Sequence, residues 1–109
     1  MRIQIGGALN NIYLGPSSII RSLIELGTFG HYPLFNQEWV EEAINTKKNM
    51  GKIEKLKAKE IFKILEKHRS IERQKAYITD LAEEERIIFV RFFVKIVEGK
   101  IVDKKPQLQ

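Results

Sequence analysis

The sequence predicts an all-α fold: one domain built as a small helical bundle of about four helices. Nine of the eleven residues from 87 to 97 are apolar, which is typical of a central, covered helix. The stretch from 52 to 78 contains neither glycine nor proline, so nothing in it obliges a helix to stop. A chain of 109 residues is long enough for one hydrophobic core. We therefore treat residues 1–109 as a single helical domain.

The N-terminal region predicts a short extended arm followed by a first helix. Residues 1–15 combine isolated aliphatic residues with glycine and asparagine, a pattern that favours extended chain. Proline and serine at 16–18 favour a helix start. Apolar residues then recur at helical spacing until Gly27. We expect the first helix at 17–26.

A second helix is predicted at 36–48, after a connection rich in glycine and aromatic residues. Asn36 is a good N-cap, and the glutamates that follow it suit the positive end of the helix dipole. Trp39 and Val40 begin its predicted buried face.

A long amphipathic helix is predicted at 52–78. At ~1.5 Å per residue it would span roughly 40 Å. A seam with alternating spacings of three and four is typical of a coiled coil, and packing against the last helix is the alternative. The seam residues are Ile61, Ile64, His68, Ile71, Lys75, Ile78 and Ala82.

The last helix is predicted at 81–98. Asp80 and Glu83 have the spacing of a capping box, and Gly99 fits the position after a helix end. Its polar residues fall on one narrow stripe: Glu84, Arg91, Lys95 and Glu98. A hairpin within 92–103 is the alternative, and we expect 100–109 to be a loose tail.

An almost entirely apolar last helix also predicts self-association, most simply a homodimer. Three short partner elements offer little area to cover it, so a second copy is expected to help. The predicted oligomer interface consists of Ile61, Ile64, His68, Ile71, Phe89, Phe92, Phe93 and Ile96. For His68 the alternative is a hydrogen-bonded core residue.

A series of lysines at spacings of three or four predicts a basic helix face. Residues 47–75 hold eleven basic and four acidic side chains, a local excess of seven that exceeds the net charge of +5. The interpretation that we favour for such a face is a solvated surface; the functional alternatives are a nucleic-acid partner and then an acidic protein or a lipid surface. The candidate anion-binding residues are Lys48, Lys52, Lys55, Lys59, Lys63, Lys67, Arg69 and Arg73.

An aromatic cluster between the first two helices is the other candidate binding feature. Its members are Phe29, His31, Tyr32, Phe35 and Trp39. These rings could stack on nucleobases or anchor a partner protein. The alternative, which we favour, is that they plug one end of the helical core.

Composition argues against several functional classes. Without cysteine there can be no disulfide, thiol nucleophile or thiolate metal site, and two histidines are too few for a typical zinc site. No GxSxG or HExxH motif occurs, so we expect no catalytic residues, no metal, no cofactor and no small-molecule substrate. The absence of a signal-like N-terminus, and an apolar run shorter than the ~20 residues of a membrane span, favour an intracellular (cytoplasmic) protein.

Together these features predict a non-catalytic helical interaction module that self-associates and binds a macromolecular partner. A nucleic-acid-binding protein that uses the basic helix 47–75 is one alternative. An adaptor or chaperone-like protein that receives a helix from another protein is a second alternative.

Overall fold

The computed structural model describes residues 18–104, with side chains described from 19 to 102. Over that range the chain forms five helices and no strand, which confirms the all-α class. The predicted arm at 1–15 and residues 105–109 of the predicted tail lie outside the described residues. The helices are α1 (Ser18–Gly27), α2 (Gln37–Asn45), α3 (Lys52–Glu66), α4 (Ile71–Asp80) and α5 (Glu83–Lys104).

Helix α5 is the centre of the bundle, and α1, α2 and α3 all pack against it. The rings of Phe35 and Phe62 approach Phe89 edge-on, with centroids 6.1 and 5.5 Å away. Phe35 also meets Phe93 edge-on at 5.2 Å. The buried residues of α5 are Phe89, Val90, Arg91, Phe93, Val94 and Val97. The apolar run of the sequence is thus largely covered by other parts of the same chain.

The expected ends of the last helix were wrong at both termini. Asp80 is the final residue of α4, and the first helical bond of α5 runs from the Arg86 N–H to the Ala82 carbonyl at 2.9 Å. Gly99 does not end the helix, since 100–104 continue it; a glycine inside a helix costs only about 1 kcal/mol. The hairpin alternative is therefore excluded, and the first part of the predicted tail is helical.

The single long helix predicted at 52–78 was also wrong, because the chain breaks at 67–70. Ser70 is extended and its hydroxyl accepts a hydrogen bond from the Arg73 N–H at 3.1 Å, which caps α4. The Gln74 side chain donates to the His68 carbonyl at 3.0 Å. These local bonds give the backbone an alternative to continuing α3. The predicted seam is therefore divided between two helices, and α2 likewise ends at Asn45 rather than 48.

This arrangement removes the reason for a dimer built on α5. Ile61, Phe89 and Phe93 are buried inside one chain, and Phe92 and Ile96 are half-buried there. They form the core of a single copy rather than a surface. Of the predicted interface residues, Ile64 and Ile71 are the apolar ones that remain exposed, on different helices.

The end of α1 is shaped by two glycines with different roles. Gly30 adopts φ 84°, and the N–H groups of Gly30 and His31 bond to the carbonyls of Gly27 and Leu26 at 2.9 and 3.0 Å. These two hydrogen bonds form a Schellman motif, which requires a left-handed backbone conformation at Gly30. Gly27 instead allows close packing, since a Cβ there would lie 2.7 Å from Val97 Cγ2.

Candidate partner-binding site

Helix α3 presents one face to the core and a basic face to solvent. Ala58, Ile61 and Leu65 are buried against the rest of the bundle. On the opposite side, Lys52, Lys59 and Lys63 are exposed. At 3.6 residues per turn these three lysines fall within about 40° of one another around the helix axis. They therefore form one stripe of positive charge.

Three large aliphatic residues lie beside this stripe and are left exposed by the part of the chain that the structure describes. Ile53 is 81% exposed, Leu56 is 55% exposed and Ile64 is 42% exposed. We call the six residues Lys52, Ile53, Leu56, Lys59, Lys63 and Ile64 the outer face of α3. Single exposed apolar residues are ordinary, but a group of them rimmed by charge is typical of an interaction surface.

A buried arginine fixes the start of α3 on α5. The Arg91 side chain is 10% exposed, and its Nη2 donates to the Lys48 carbonyl at 2.7 Å. Its Nη1 lies 3.7 Å from a carboxylate oxygen of Glu54, whose other oxygen accepts from the Gly51 N–H at 2.8 Å. The sequence placed Arg91 on a polar stripe of α5 without indicating a buried role, and the structure shows its side chain buried. The signal in the sequence was a lone arginine inside an apolar run.

A second ion pair ties the middle of α3 to the start of α5. Lys57 Nζ lies 3.4 Å from Glu85, with both side chains more than a third exposed. Exposed pairs of this kind contribute little to stability. Around the helix axis Lys57 lies next to Ile64, at the edge of the outer face. Neither this pair nor the Arg91–Glu54 pair involves Lys52, Lys59 or Lys63.

The remaining members of the predicted basic set are all exposed but are not all on one helix. Lys55 lies on α3 beside the stripe, and Lys67 is the C-cap of that helix. Lys48 lies in the connection before α3 and Arg69 in the connection after it. Arg73 belongs to α4. The structure therefore keeps Lys52, Lys55, Lys59 and Lys63 together and separates the two arginines from them.

The predicted aromatic cluster is divided between core and surface. Phe35 is buried, and Tyr32 packs on it at 6.2 Å between ring centroids. Trp39 is half-buried under the Arg86 guanidinium, whose carbon lies 4.6 Å from the ring centroid. Phe29 and His31 are exposed. The interpretation that the rings fill one end of the core therefore applies to Tyr32 and Phe35. The five residues do not form one stacking platform.

His68 lies in the α3–α4 connection and not on a helix face. It is half-buried, and its ring centroid lies 5.5 Å from that of Tyr77. Burial, and secondarily the Glu85 carboxylate, raise the pKa of the Tyr77 hydroxyl above its usual 10.0. This corner of the molecule is packed around the helix break, with the His68 carbonyl accepting the Gln74 bond.

Sequence reasoning missed the apolar part of the outer face. Ile53 and Leu56 were not among its candidate residues, although they share a side of α3 with the lysines. Their positions could be found from the helical angles once the core-facing side is known. Ile64 was assigned to the oligomer interface.

Within 18–104, no helix is both long and apolar enough to cross a membrane. In the same part of the chain, no three acidic or histidine side chains are grouped as metal ligands would be. A scan against models of protein families, a search of curated proteins and a search of solved structures found no match to this chain.

Proposed function

We infer that the protein is a non-catalytic interaction module that binds an acidic protein surface through the outer face of α3. The observation that carries this proposal is the group of exposed aliphatic residues Ile53, Leu56 and Ile64 set among lysines. The aliphatic side chains supply apolar area, which is the main favourable term in most protein association. The lysines supply attraction to carboxylates and select against basic partners.

The anchoring of α3 supports a role for the whole face as a unit. Its inner residues are buried, and Arg91 holds the preceding connection through the Lys48 carbonyl. A face that is rigid before binding loses less conformational freedom on complex formation. An acidic amphipathic helix, with leucines and glutamates at helical spacing, has the matching chemistry.

A nucleic-acid partner is the second candidate. It is favoured by the exposure of the lysines from 48 to 63 and by the excess of seven positive charges in 47–75. Phosphate binding uses such lysines as point charges and depends strongly on salt. It makes no use of the aliphatic residues on the same face, and this difference separates the two candidates.

The test is fluorescence anisotropy with two labelled probes, an acidic leucine–glutamate helical peptide and a DNA duplex. The full chain is expected to bind the peptide, more weakly as salt rises. Replacing Lys52, Lys59 and Lys63 together by Gln is expected to weaken peptide binding at least tenfold. The matched control replaces Lys95 and Lys100 by Gln, which are exposed lysines of α5.

A second variant separates the partner classes. Ile53→Ser with Leu56→Ser is expected to weaken peptide binding and to leave any DNA binding unchanged. Peptide affinity that survives both variants would refute the outer face as the contact surface. Tight DNA binding that depends on the lysines but not on Ile53 and Leu56, without peptide binding, would establish the second candidate instead.

A further inference from the structure

An open groove lies on the side of the bundle away from α3. Its volume is about 700 Å³, and it is bounded by the α1–α2 connection, by α2 and by the C-terminal half of α5. Several of its lining residues are apolar: Tyr32, Val40, Ile44, Val94 and Ile101. Ile44 is 45% exposed there, so the described residues leave part of the apolar lining of the groove open to solvent.

The charged side chains of this groove are acidic. Glu41 lines it from α2 and Glu98 lines it from α5, and both are exposed. Gln37 donates to the Glu41 carboxylate at 3.0 Å, which orients that group. Tyr32 lines the same groove, and burial, and secondarily the negative charge of Glu98, raise the pKa of its hydroxyl. Among the residues that the structure describes, its lining includes the exposed His31 but no lysine or arginine.

The groove and the outer face of α3 are therefore complementary in chemistry. One is apolar with carboxylates at its sides, and the other is apolar with lysines at its sides. The outer face extends about 18 Å along α3, from Lys52 to Ile64, at ~1.5 Å per residue. A basic amphipathic helix in an acidic apolar groove is a familiar mode of helix recognition.

The two surfaces cannot meet within one copy. Helix α3 contacts the N-terminal half of α5, where Phe62 lies 5.5 Å from Phe89 between ring centroids. The groove begins beyond that point, at Val94, and continues to Ile101. The inner face of α3 is buried, so the helix cannot leave its place without unfolding the core.

We propose that the outer face of α3 in one copy docks into the Glu41–Glu98 groove of a second copy. This deepens the proposed function, on which it rests, by naming the acidic partner as the protein itself. The interface is heterologous, because the two contacting surfaces differ. Each docked pair leaves one groove and one outer face unused, so assembly continues head to tail unless a ring closes.

The experiment is sedimentation velocity of the full chain and of two charge-reversed variants. The wild-type protein is expected to grow in mass with concentration and to dissociate at high salt. The groove variant carries Glu41→Lys and Glu98→Lys, and the helix variant carries Lys59→Glu and Lys63→Glu. All four positions are exposed, and circular dichroism checks that each variant keeps the helical fold.

Each variant alone is expected to be monomeric, because its two surfaces then have the same sign of charge. An equimolar mixture is expected to associate again, since each reversed surface meets one of opposite charge on the other variant. A control pair with Lys95→Glu and Lys100→Glu is expected to behave as wild type. Restored assembly in the mixture, absent from each component, would establish the contact.

Three results would overturn the inference. A wild-type chain that stays monomeric at every concentration would do so, as would occupancy of the groove by another segment of the same copy. Assembly that persists in both variants alone would also do so, because it would use another surface. In each case binding of the acidic peptide probe to α3 still reports separately on the proposed function.

Discussion

The two sides of α3 carry similar aliphatic residues in opposite surroundings. On the inner side, Ile61 is 3% exposed and belongs to the core cluster. On the outer side, Ile53 is exposed and lies among lysines. The two isoleucines are eight positions apart on one helix. The difference shows that an aliphatic residue on α3 can lie in the core or in solvent, depending on which side of the helix carries it.

The same comparison explains why apolar density is a poor guide to which side chains remain exposed. Helix α5 is the most apolar element, but it is largely covered by α1, α2 and α3. Helix α3 is more polar and yet leaves aliphatic side chains uncovered. What remains exposed after folding, rather than what is most hydrophobic, identifies the surface on which a partner can bind.

The largest expected effect contrasts the two isoleucines directly. Ile61→Ala removes a buried side chain from a packed core and is expected to lower the free energy of unfolding by about 2–5 kcal/mol. Ile53→Ala is expected to change it by less than about 0.5 kcal/mol. Urea unfolding followed by circular dichroism measures both. Equal losses would mean that the outer face is covered.

The next largest effect concerns Arg91, which holds the start of α3 against α5. Arg91→Met would leave the Lys48 carbonyl without its donor and Glu54 without its cation, at a cost of about 2–3 kcal/mol. Lys95→Met, an exposed position on the same helix, is the control and is expected to be nearly neutral. Hydrogen exchange is expected to speed up at 50–56 in the first variant alone. Unchanged protection there would disprove the anchoring role.

Two glycines show the same contrast between a packed and an open position, with a smaller expected effect on stability. Gly27→Ala would force its Cβ against Val97 and is expected to cost about 1–2 kcal/mol. Gly99→Ala meets nothing within 4 Å, so higher helix propensity is expected to stabilise the protein by about 0.5–1 kcal/mol. Replacing glycine by alanine is thus expected to lower the free energy of unfolding at position 27 and to raise it at position 99. Thermal unfolding of both variants measures this, and effects of the same sign would refute the packing argument.

The smallest effect is a loss of stability at alkaline pH through Tyr32. Burial, and secondarily Glu98, raise its pKa above the unfolded value of 10.0, so the folded protein holds this proton more tightly. The resulting stability is fully present below pH 10.0 and is lost as the pH rises through the folded pKa. Tyr32→Phe is therefore expected to unfold with a weaker pH dependence above that value. An unchanged alkaline slope in urea titrations would contradict this.

The helical architecture could be predicted from the sequence where the relevant signals are local. Asn36 was expected to cap α2, and its side chain does accept the Trp39 N–H at 3.0 Å. The break after α3 could not be predicted in this way. Ser70 is compatible with both a helix interior and a cap, and the Gln74–His68 bond that favours the cap is visible only in three dimensions.

The candidate site could be predicted in its charges but not in its apolar part. Spacing alone placed the lysines on one helix face. Recognising Ile53 and Leu56 as uncovered requires knowing which side of α3 the core occupies, and that depends on the packing of α5. The role of Arg91 was equally hidden, because its acceptor at Lys48 lies 43 positions away in the chain.

The Arg91 contact has a consequence for the alignment of the central helices. If α5 slid by one turn, about 5.4 Å, the guanidinium would be carried into aliphatic surroundings without its two acceptors. Contacts between purely apolar surfaces tolerate such a shift, whereas a buried cation that depends on specific hydrogen-bond acceptors does not. The contacts of Arg91 therefore favour one register of α5 against the start of α3 and disfavour packings in which α5 is shifted along its axis.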